Sequence, residues 1–121
     1  MKEVTIFPGS LAGRICVPAS KSMGHRTVIC AGLSEGISTI NNVGASQDIE
    51  ATCEAMENFG ASFEKRESSL KIMGSTALKL KNPGINCYES GSTLRFIIPI
   101  AALTDEPAAF YGKGRLIERT L

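Results

Sequence analysis

Lys21, Ser22, His25 and Arg26 fall within six positions of the stretch "PASKSMGHR" (18–26), at the head of a segment that soon turns apolar. The pattern reads as the start of a helix, where backbone N–H groups are unpaired and the dipole is positive. Acids favour that place, so a group of bases there points to an anion held among them. With Ser20 as the cap, Lys21 and Ser22 take the first two helical positions. Lys21 offers a point charge, Ser22 a directional donor, and Arg26, four residues on and on the same side, a bidentate fork. Phosphate and carboxylate suit that set. The bland reading is a solvated first turn with incidental bases. No acid relieves the local repulsion before Glu35, which weighs against it. His25 faces away from Ser22 and reads as a packing or surface residue.

A second such place is "ESGSTLR" (89–95), where Gly91 among Ser90, Ser92 and Thr93 lets a ligand approach the backbone of a helix start. Arg95 lies one turn further in. The segment lacks the Gly-Lys-Ser/Thr of a nucleotide P-loop. The plain alternative is a Ser-capped helix with Arg95 bridging to an acid. The third is "GKGRLIER" (112–119), with Lys113, Arg115 and Arg119 after a strand, where the spacing puts Arg115 and Arg119 on one helix face. Here the alternative is a solvated basic loop. Acids such as Asp48 and Glu50, at another helix start, read first as dipole compensation.

The rest of the chain must position these groups. Its 121 residues are 43% hydrophobic and 21% charged, enough to bury a core. Thirteen Lys and Arg against twelve Asp and Glu leave a net charge of +1, which argues against a general nucleic-acid binder and makes any anion site local. The four cysteines show no C-x-x-C spacing and His25 is the single histidine, so no metal site is expected. The start has no signal-like apolar run, and no stretch is long enough for a membrane span. A soluble, cytoplasmic protein with reduced thiols is the expectation, with neither nucleic acid nor membrane as a partner.

Extended runs are predicted at 4–7 and 14–17, then a helix over 21–34 and a strand over 36–43. An amphipathic helix follows over 46–59, with Ser46 as cap, Ile49, Cys53, Met56 and Phe59 on one face, and Gly60 as the left-handed stop. Strands at 61–67 and 69–74 form a hairpin. After a loop at Asn82-Pro83-Gly84 come a helix over 91–104, bent by Pro99, and a strand at 107–111. The order of features around Arg26 recurs around Arg95, one residue out of register. The fold expected is mixed α/β (α+β), built from repeated βαβαββ units: one complete unit over 19–85 and the start of a second over 86–121. The second breaks off where its next helix is due, as in a fragment of a longer protein. Residues 1–18 are expected to be opening strands, with the other domain as a candidate home.

At these residues the sequence resembles the enolpyruvyl transferases, and among them those acting on shikimate 3-phosphate. "PASKSMGHRTVICAGLSEG" is similar to the family's P-x-S-K-S-x-x-x-R helix, and "SQDIEATCEAMENFGA" to its S-x-D…L-G-A helix. "ESGSTLRFIIPIAAL" resembles its N-x-G-T-x-x-R segment, and "GKGRLIERTL" its G-x-x-x-x-x-x-R-P-[LI] stretch. The resemblance implies transfer of the enolpyruvyl group of phosphoenolpyruvate to the 5-hydroxyl of shikimate 3-phosphate, with release of phosphate and no cofactor. It implies that Lys21 contacts both substrates, and that Ser22 and Arg26 hold shikimate 3-phosphate. Gly91, with Ser92 beside it, lies against phosphoenolpyruvate, and Arg119 holds its phosphate. Asp48, Arg95 and Arg115 take supporting places. The family's acid–base residues fall in a part beyond this chain, so the segment alone is expected to be inactive and to work with the remainder of the enzyme. Glu89 departs from the usual Asn, putting a carboxylate near the anions, where pairing with a cation is expected. Thr120 replaces the usual Pro. Two other readings remain open: a UDP-N-acetylglucosamine enolpyruvyl transferase, which "SKS…R" disfavours, and a non-catalytic anion-binding module.

Overall fold

The computed structural model describes residues 2–120. Met1 and Leu121, the outer residues of the first and last expected segments, lie outside it. Nine elements follow in order: α1 (Lys21–Gly32), β1 (Gly36–Asn41), α2 (Gln47–Asn58), β2 (Ser62–Lys65), β3 (Ser69–Gly74), β4 (Gly84–Tyr88), α3 (Gly91–Ala101), β5 (Ala109–Gly112) and a 3-10 turn (Gly114–Glu118). The mixed α/β class is as expected.

Helix α2 is the centre of the packing. Ile49, Cys53, Met56 and Phe59 are all buried, as their spacing requires, and Phe59 is 1% exposed. Their stripe meets α1 through Val28 and Ile29, and the first sheet through Leu70 and Ile72. The two helices approach closely because Gly24 and Gly32 have no side chains. A Cβ on Gly24 would lie 2.9 Å from Ile49 Cδ1, and one on Gly32 2.9 Å from Met56 Cε. Gly60 ends the helical turn at φ +101, as expected.

Strands β1, β3 and β2 form an antiparallel sheet in that order, Ile37 opposite Met73 and Phe63 opposite Ile72. Strands β4 and β5 form a separate parallel pair, with Ile85 opposite Phe110, and α3 is the crossover between them. A parallel pair requires such a connection. Pro99 lies inside α3, as expected.

Three expectations are corrected. Residues 2–20 form no strand, and Val4, Ile6, Phe7, Leu11, Ile15 and Val17 are all exposed. Strand-forming composition cannot make a strand without a partner backbone, and none lies beside these runs among the described residues. The unit over 19–85 accordingly reads αβαββ, without a leading strand. Strand β4, absent from the expectation, occupies Gly84–Tyr88 directly after the loop at Asn82. Finally, Arg115 and Arg119 do not share a helix face. The turn is 3-10 and stops at Glu118, leaving Arg119 extended at φ −85, ψ 135.

A cationic cleft at three helix N-termini

Helices α1, α2 and α3 each open with a serine cap. Ser20 Oγ accepts the Met23 N–H at 3.3 Å, Ser46 Oγ that of Ile49 at 3.3 Å, and Ser90 Oγ that of Thr93 at 3.1 Å. Past those caps the first turns converge on one open cleft of about 390 Å³. Helix α1 contributes Lys21, Ser22 and His25; α2 contributes Asp48; α3 contributes Gly91, Ser92 and Arg95. Glu89 and Arg119 close its sides. Segments far apart in sequence thus bring unpaired N–H groups and three cations together. Dipole and charge make such a place favourable to an anion.

Lys21 forms an ion pair with Asp48, its side chain 55% exposed. A pair this open contributes at most about 1 kcal/mol, so Lys21 is readily exchanged to a ligand. Arg119 hangs over the start of α3: a Cβ added to Gly91 would lie 3.6 Å from its Nη1. Arg95 Nη2 donates to the Thr120 carbonyl at 3.0 Å and so ties down the backbone beside Arg119. Just upstream, Tyr88 turns the chain out of β4 at φ +50, an uncommon conformation for a bulky side chain. Its N–H is held by Asn86 Oδ1 at 2.9 Å, and its hydroxyl donates to Glu54 at 2.9 Å.

Two residues of the expected set lie outside the cleft lining. Arg26 Nη1 donates to the Ser22 carbonyl at 2.9 Å, and its guanidinium lies 5.1 Å from the centre of the Phe96 ring, at the rim between α1 and α3. Arg115 is exposed on the 3-10 turn. The expected partner of Glu89 is also missing: among the described residues no cation lies within ion-pair distance of it. Its carboxylate sits over Gly114, where a Cβ would come within 2.6 Å.

The sequence pattern makes His25 a packing or surface residue. It is 1% exposed, yet it lines the cleft. Its Nδ1 is 2.7 Å from Thr52 Oγ1. Burial lowers its pKa, Asp48 pulling the other way and Lys21 and Arg26 reinforcing the drop. No spacing rule joins residues 25, 52 and 93, so this part of the cleft gave no sequence signal.

Fold and cleft together define a mixed α/β protein whose helices open by their N-termini into one cationic pocket. Residues 7–121 match the family model for EPSP synthase (3-phosphoshikimate 1-carboxyvinyltransferase), and the chain belongs to that family. It is 51% identical over 121 residues to the 3-phosphoshikimate 1-carboxyvinyltransferase of Clostridium kluyveri, and 44% identical over 130 to that of Clostridium novyi. All of this chain is matched, but it spans only 28% and 30% of those relatives. The EPSP synthase of Acinetobacter baumannii has the same fold, with a TM-score of 0.80 at 24% identity over 88% of this chain and 25% of that one. Among the described residues no helix is long and apolar enough to cross a membrane.

Proposed function

We propose that this chain is the N-terminal part of a cytoplasmic transferase that moves the enolpyruvyl group of phosphoenolpyruvate to the 5-hydroxyl of shikimate 3-phosphate, releasing phosphate. The observation behind the reading is the convergence of three helix N-termini with Lys21, Arg95 and Arg119 on one cleft. Both substrates are anions, and cations with oriented N–H groups meet them without reorganisation at the moment of reaction. Lys21 and Ser22 take shikimate 3-phosphate, with Arg26 swinging from Phe96 to join them. Gly91 and Ser92 present the α3 terminus to phosphoenolpyruvate, and Arg119 takes its phosphate. Asp48, Arg95 and Arg115 support these positions.

Residues 19–85 act as the first repeat, 86–121 begin the second, and the segment 1–18, exposed over the described residues 2–18, docks on another domain. The cleft supplies orientation and charge; the titratable groups of its lining left without a part are the buried His25 and the exposed Glu89. Proton transfer therefore rests with the remainder of the enzyme, and this chain alone turns nothing over. Titration of the chain with shikimate 3-phosphate tests the reading: binding is expected, weakened at least ten-fold by Lys21→Ala. Unchanged affinity in that variant would refute the assignment, and phosphate release on adding both substrates would refute the inactivity.

A further inference from the structure

His25, Thr52, Ser90 and Thr93 are each 1% exposed or less, and they form one hydrogen-bonded chain beneath the cleft. Ser90 Oγ lies 2.6 Å from Thr93 Oγ1, Thr93 Oγ1 lies 2.7 Å from Thr52 Oγ1, and Thr52 Oγ1 lies 2.7 Å from His25 Nδ1. The direction of the protons follows from the acceptors available. Ser90 Oγ already accepts the Thr93 N–H, and among the described residues its own proton has Thr93 Oγ1 as acceptor. Thr93 then donates to Thr52 at 2.7 Å, in preference to the Asp48 carbonyl at 3.3 Å. Thr52 donates to His25 Nδ1 at 2.7 Å, in preference to the same carbonyl at 3.2 Å. An imidazole that accepts at Nδ1 holds its proton at Nε2. That atom is buried and has no partner among the described residues, although His25 lines the cleft. An unpaired buried donor is costly, and an oxygen entering the cleft that His25 lines would satisfy it.

We propose that His25 is a further substrate-binding residue, offering a neutral Nε2–H to an anionic oxygen in the cleft, with its tautomer fixed by the Ser90–Thr93–Thr52 hydroxyl chain. The inference rests on the transferase reading for the identity of the anion, but the tautomer is a property of the empty protein. The chain also couples the three helices, since Ser90 caps α3, Thr93 lies on α3, Thr52 on α2 and His25 on α1. A shift in any one is felt at the donor.

Nitrogen-15 NMR of the full chain tests the tautomer directly, because His25 is its single histidine. At neutral pH the expected pattern is a protonated Nε2 and an unprotonated Nδ1. Thr52→Val, which removes the donor to Nδ1, should move the balance toward Nδ1–H. Titration with shikimate 3-phosphate should shift the Nε2 resonance. His25→Phe should weaken that binding about ten-fold, while His25→Gln, whose amide reaches the Nε2 position, should stay within about three-fold of the parent. An Nδ1–H tautomer or an imidazolium in the parent protein would overturn the proposal. So would full affinity in His25→Phe while Lys21→Ala binds weakly, a result that leaves the anion cleft standing. If Lys21→Ala also binds normally, it is the transferase reading that fails.

Discussion

Glu89, which has no ion-pair partner among the described residues, places a carboxylate in a cleft proposed to receive anions, and replacing it with the isosteric Gln removes that charge alone. The cleft lining holds Lys21, Arg95 and Arg119 against Asp48 and Glu89, so Glu89→Gln raises its net charge from one to two. Because Glu89 is exposed, its interaction with a bound phosphate lies near the aqueous limit. At separations of about 4 to 8 Å that repulsion is roughly 0.5–1 kcal/mol, equal to a two- to five-fold gain in affinity when it is relieved. Isothermal titration with phosphoenolpyruvate or inorganic phosphate at low salt measures the gain. Repetition at about 0.5 M salt should shrink it, since screening there acts within a few ångströms. Stability should be unchanged, because no ion pair among the described residues is broken. Equal or weaker binding at low salt would refute the reasoning, showing that Glu89 is neutralised when the site fills or accepts a hydrogen bond from the ligand.

Burial pushes the Cys53 thiol up to about 12 and that of Cys87 up to about 11. Each folded pKa exceeds the unfolded value near 9, so the stability from keeping these thiols neutral is complete below pH 9 and lost as pH rises toward 11–12. Thermal melts from pH 8 to 10.5 should fall more steeply in the parent than in a Cys53→Ala, Cys87→Ala double variant; parallel curves would refute this. Exposed Cys16 and Cys30 should react with a thiol reagent in the native chain, and the other two only after unfolding. Asn58 holds the approach to β4, its Nδ2 donating to the Asn82 carbonyl at 2.7 Å and its Oδ1 accepting the Asn82 N–H at 2.7 Å. Asn58→Ala should cost about 1–3 kcal/mol in urea unfolding, and a loss under 0.5 kcal/mol would mean that water replaces both bonds.

The sequence was most legible where one element carries its own pattern. The stripe Ile49–Cys53–Met56–Phe59 located α2 and its buried face, and Ser20 and Ser46 marked helix starts that the structure keeps. Legibility failed where the deciding contact is distant. The runs at 4–7 and 14–17 have strand composition but no neighbouring backbone, whereas Gly84–Tyr88, with a glycine start and a positive φ at Tyr88, pairs with β5 over an intervening helix. Periodicity put Arg115 and Arg119 on one α-helical face, but a 3-10 turn repeats every three residues and ends before Arg119. The cleft showed the same division. Lys21, Ser22, Gly91 and Ser92 could be placed from their local helix starts. The hydroxyls of Thr52 and Thr93 are set 2.7 Å apart only by folding, and no local pattern announces that pairing.

Three helix N-termini aimed at one point also bear on how the empty protein holds together. Their positive ends repel one another, and among the described residues of the lining Asp48 and Glu89 are the acids that offset them. A bound anion therefore acts as a missing structural member, and by mass action each ten-fold excess over its dissociation constant adds about 1.4 kcal/mol to the folded state. For such a chain, the phosphate content of the buffer becomes a determinant of its melting temperature, and the substrate becomes the last piece to assemble.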